Sequence, residues 1–97
     1  MDEAQKKAQD EEFYSLADKF IDLGNNECDN KDPSFVASTM MFATARFSAF
    51  VVASQALDKE SYESELERAK EFFNGEFDRM LSQNLEDYKT AFKPKDK

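Results

Sequence analysis

Residues 33–57 read PSFVASTMMFATARFSAFVVASQAL, and Arg46 is the sole charge among them. At about 100° per residue, the large apolar side chains from Phe35 to Leu57 point around most of a helix circumference. A helix that is apolar nearly all round belongs at the centre of a protein or in a membrane. Asp32-Pro33 opens it, because Asp caps a helix start and the fixed φ of Pro suits the first helical position. The length would span a bilayer. Arg46 argues against that, because a charge at mid-span costs about 2.5–3.5 kcal/mol even on insertion scales. Ser38, Thr39, Thr44, Ser48 and Ser54 dilute the apolarity further. The stretch is therefore expected to be the central core helix of a soluble protein, with no membrane partner.

Working outward, Phe13, Leu16, Ala17, Phe20, Ile21 and Gly24 follow the spacing of one helix face. This predicts a helix over 10–24, stopped by Gly24-Asn25-Asn26, which tolerate left-handed geometry. Residues 1–9 show no periodicity and are expected to be a disordered or loose lead-in. Downstream, Asp58 or Ser61 caps a third helix over 60–92. Its stripe runs through Tyr62, Leu66, Ala69, Phe73, Phe77 and Met80, then Leu81, Leu85, Tyr88 and Phe92. The stripe rotates by about 70° at Asn74-Gly75, which suggests a bend and, if the chain turns there, a fourth helix. Residues 93–97 are expected to be a frayed end.

Four Gly and Pro residues against ten Phe leave too few breakers for a sheet protein. Ninety-seven residues make one domain. The fold expected is all-α: one domain over 1–97, a small bundle of three or four helices around a central hydrophobic helix. Phe20, Phe47 and Phe50 are its expected core.

The net charge of −8 is unevenly placed. Residues 1–31 hold nine acids and four bases, residues 32–57 one of each, and residues 58–92 ten acids and five bases. An acidic surface repels phosphate, so nucleic acid is not an expected partner. The beginning of the chain lacks the apolar run of a secretory signal, and the lone Cys28 can form no disulfide within the chain. A reducing, cytoplasmic setting is expected.

Histidine is absent, which removes the commonest general base and metal ligand. Neither Gly lies in a phosphate-binding context. Cys28 lies between Glu27 and Asp29, an acidic setting that is not expected to favour a nucleophilic thiolate. On a calcium-loop template, Asn25, Glu27 and Asp29 take the first ligand positions, but Val36 stands where a bidentate Glu belongs. No catalytic residue, metal or cofactor is expected, and the protein is read as non-catalytic.

Two groups of residues remain as candidates. Arg46 needs an acid partner if buried, and Asp18 or Asp22 could supply it as a structural ion pair. Alternatively, Arg46 could hold a small acidic ligand in the bundle interior. Leu81, Leu85, Tyr88 and Phe92 extend beyond the reach of the shorter second helix and form a candidate interaction surface. The partner is a second copy, as a homodimer, or an unidentified protein.

Two stretches also carry a resemblance. They are Phe13 to Leu23 followed by Asn25, and Met41 to Ala53. Together they resemble a family of short, acidic, helical proteobacterial proteins catalogued as a domain of unknown function, over roughly residues 12–90. The resemblance implies a bacterial cytoplasmic protein and brings no activity, cofactor or catalytic residue.

Overall fold

The computed structural model describes residues 2–92. Its elements are α1 (Glu3–Glu27), α2 (Pro33–Gln55), α3 (Lys59–Ser64), α4 (Leu66–Tyr88) and a closing 3-10 turn at Lys89–Ala91. The protein is all-α, as expected, and no strand occurs among the described residues.

α1 begins far earlier than periodicity suggested. Asp2 caps it, accepting from the Gln5 N–H at 2.8 Å, while the Gln5 side chain accepts from the Asp2 N–H at 3.1 Å. This reciprocal box satisfies two otherwise orphaned donors, so the expected loose lead-in over 1–9 is helical from Glu3. The other expected tail, 93–97, lies outside the described residues.

α1 also runs past Gly24 to Glu27, and no glycine here has positive φ. Gly24 serves close approach instead of a turn. A Cβ built on it would stand 2.9 Å from Met40 Sδ and 3.8 Å from Val36 Cγ1. The missing side chain is what lets α1 lie against the start of α2.

The Asp32 carboxylate accepts from the Ser34 N–H at 2.7 Å, and the Val36 N–H donates to the Asp32 carbonyl at 3.0 Å. α2 thus starts where the Asp-Pro signal placed it. Inside α2, the Thr39 hydroxyl donates to the Phe35 carbonyl and that of Ser54 to the Val51 carbonyl. Both hydroxyls are satisfied within the helix, which leaves their methyl and methylene groups to face outward.

A fourth helix does form, but the break falls at Ser64-Glu65 and not at Asn74-Gly75. Asp58 and Ser61 cap α3 reciprocally at 2.8 and 3.1 Å. α4 then passes through Asn74 and Gly75 uninterrupted, with open space around Gly75. The rotated stripe is a change of facing along one continuous helix.

The chain divides into two compact units, Met1–Ala49 and Phe50–Lys97. In the first, Gly24 and Val36 are buried, Val36 being 7 % exposed. In the second, Val51, Val52, Ala56, Tyr62 and Ala69 are half-buried, and no described residue is fully buried. The expected core of Phe20, Phe47 and Phe50 is not formed in one copy, where these residues are 59 %, 66 % and 63 % exposed. The reason is the kind of contact: α1 meets α2 through a glycine, a valine and a methionine, which brings backbones together without enclosing rings. Of the most apolar eighteen-residue window of α2, 6 % is buried.

Gly75→Ala should stabilise the protein by up to about 1 kcal/mol, because it gains helix propensity in open space. The melting temperature should rise by about 4–8 °C per kcal/mol for a chain this size. Gly24→Ala should be nearly neutral, since the thioether of Met40 can move aside, whereas Gly24→Leu should lose about 1–3 kcal/mol by forcing α1 off α2. Thermal denaturation of the three variants checks this, and a Gly24→Leu protein as stable as the parent would refute the close approach.

The Asp58 carboxyl is held below its usual value, first by the hydrogen bond from the Ser61 N–H and then by the Ser61 hydroxyl. Glu76 is lowered first by the hydrogen bond from Arg79 and then by its charge. Carboxyls depressed in the folded state stabilise it above the unfolded pKa, and that contribution disappears as pH falls through the folded value. Stability should therefore decline on acidification below about pH 4. Asp58→Asn keeps a capping side chain but cannot titrate, so melting curves across that range should show a shallower decline.

Candidate interaction surface

α2 sets the surface because its apolar side chains outnumber the contacts available to them in one copy. Phe35 and Phe42 are 61 % and 69 % exposed. They lie with Thr39, Arg46, Ala49 and Ala53 on one helical stripe whose spacings alternate between four and three, and all six are exposed. Sequence periodicity marked neither Phe35 nor Phe42 as a site residue, because nearly all of α2 is apolar; nearly all of it is also exposed, and this stripe is distinguished by carrying Arg46.

Arg46, Asp18 and Asp22 are all exposed. Among the described residues no ion pair joins Arg46 to either acid. The ion pairs present are Lys31–Glu27, Arg68–Glu65, Arg79–Glu76 and Lys89–Glu86, at 2.6 to 3.6 Å. Each joins residues three or four apart and exposed to water, where such pairs contribute little. The guanidinium is thus not enclosed in an interior where a small acidic ligand would be gripped.

On α4, Leu81, Leu85 and Tyr88 share one face, and Phe92 follows after the 3-10 turn; all four are exposed. Asn84 donates to the Met80 carbonyl at 2.8 Å, so its amide is turned back onto the helix beside this face. Within the second unit, the end of α2 and the start of α4 border an open cleft of about 520 Å³, with Val52, Ala56, Tyr62, Ala69, Phe72 and Phe73 in its lining. Phe72 and Phe73 stack edge to face at 5.2 Å. Glu65 and Arg68 at its rim neutralise each other. Apart from that pair and a few polar groups, the lining is suited to apolar groups.

Cys28 is free and half-buried at the end of α1. Among the described residues no cluster of His, Cys, Asp or Glu could hold a metal ion. α2 is long and apolar enough to cross a membrane by length and composition alone.

What these features define is an all-helical protein with an unusually exposed apolar helix. The chain belongs to the family described as Protein of unknown function (DUF3144), whose model matches residues 13–89. That span runs from the middle of α1 to the end of α4, so it takes in the whole of α2 and the exposed stripe on α4. No curated protein and no solved structure matches the chain.

A double-mutant cycle combining Arg46→Met with Asp18→Asn or Asp22→Asn tests the pairing directly. The structure has no such contact, so each coupling energy from urea denaturation should lie within about 0.5 kcal/mol of zero. A coupling above that would restore the ion pair.

Proposed function

We propose that this chain is a cytoplasmic, non-catalytic protein-interaction module that works by laying exposed apolar helix faces against another protein. One observation carries the reading: α2, the most apolar helix, is left largely uncovered by its own chain. A soluble monomer rarely keeps a large contiguous apolar patch in water, so α2 is a surface awaiting a partner. The stripe of Leu81, Leu85, Tyr88 and Phe92 offers a second such surface. A protein partner suits α2 better than lipid, because Arg46 near its middle is costly in hydrocarbon and readily stacked or paired in a protein interface. An acidic-ligand role for Arg46 is less well supported, since the side chain is exposed.

A photo-reactive phenylalanine analogue at position 42, irradiated in cells producing the protein, tests the reading. The expected result is a covalent adduct whose added mass is that of a polypeptide. An adduct with lipid alone, or none at all, would overturn it.

A further inference from the structure

The exposed stripe of α2 reads as a complementary pattern from its two ends. The helix spans Pro33–Gln55, so Thr44 is its midpoint. The stripe residues Phe35, Thr39, Phe42, Arg46, Ala49 and Ala53 have the four-three alternation that lets one helix seam interlock with another. Turning a second α2 end for end about the level of Thr44 sets Phe35 against Ala53, Thr39 against Ala49 and Phe42 against Arg46. The rings then fall opposite small or planar side chains. Each guanidinium lies over a phenyl face, where it is attracted by the ring's electron density. Parallel pairing would instead set Phe on Phe and Arg46 on Arg46, two like charges in apolar surroundings.

We infer that this stripe is the seam of an antiparallel homodimer, with Arg46 stacked on the partner subunit's Phe42 in two symmetric contacts. The inference rests on the interaction-module reading and names its occupant. The distribution of charge favours a second copy. The segment 32–57 is neutral, while those on either side each hold five more acids than bases. Two copies of a chain at −8 meet with least repulsion at α2. The α4 stripe lies in one of the acidic segments and is the poorer meeting place.

Register and direction are tested together in the full chain with Cys28→Ser. Thr39→Cys and Ala49→Cys are made in separate proteins, and each is oxidised alone and after mixing. In the antiparallel seam, residue 39 faces residue 49 of the other copy. Identical residues lie about 15 Å apart along the axis, beyond disulfide reach. The expected result is a linked dimer from the mixture and none from either protein alone. Linkage of Ala49→Cys to itself would show parallel pairing and overturn the inference. So would a sedimenting mass near 11 kDa for the parent chain at about 100 µM, or flotation of the chain with phosphatidylcholine–phosphatidylglycerol vesicles.

Two substitutions test the contact itself. Arg46→Gln should weaken the dimer by about tenfold or more, with Arg46→Lys recovering part of the loss and Leu85→Glu leaving the dimer intact. An unchanged dissociation constant for Arg46→Gln would remove the stacking contact. A polypeptide adduct at position 42 that is not a second copy, from a chain that sediments as a monomer, would leave the interaction module standing and end the homodimer.

Discussion

The structure is governed by the apolar surface that α2 leaves in water. Burying apolar area contributes about 25 cal/mol per Å², and α2 is the most apolar of the helices, with Arg46 its one charge. Within one copy its surface is covered at few places, the clearest being the approach of Val36 and Met40 to Gly24. Phe35 and Phe42 remain largely exposed in one copy. In the proposed interaction module, the helix that shapes the fold would also be the one that associates.

Electrostatics reinforces this division of labour. The ion pairs found lie within single stretches of helix or across one turn, and each is open to solvent. They favour helix formation in the acidic segments without fastening one helix to another. The acids that remain unpaired keep those segments well solvated. A neutral helix bordered by acidic ones leaves one part of the surface free of like-charge repulsion.

Much of the architecture was legible in the residues. Asp32-Pro33 marked the start of α2 because its capping chemistry is local, and the all-α class followed from periodicity and the scarcity of breakers. Gly24 and Gly75 were misread for one reason: a glycine signals a missing side chain, not what the vacancy is for. At Gly24 it admits Met40, and at Gly75 it admits nothing. The cap at Asp2 was overlooked because it depends on a Gln three residues on and not on an apolar pattern. The core residues were misplaced because periodicity reports which face is apolar and is silent on whether the same chain covers it. Arg46 stood out as the sole charge of an apolar helix, but its assignment to Asp18 or Asp22 assumed a burial that one copy does not provide.

The hydrogen bonds and ion pairs described for side chains have a kinetic corollary. They join residues no more than four positions apart. Contacts so close in the chain form on the timescale of helix growth, within about a microsecond, and low contact order makes folding fast. Helix formation is then quick and unimolecular, whereas the proposed docking of a second copy on α2 would await a collision. In that dimer the two events would separate in time: a fast phase indifferent to dilution, followed by a slower one whose rate rises with protein concentration.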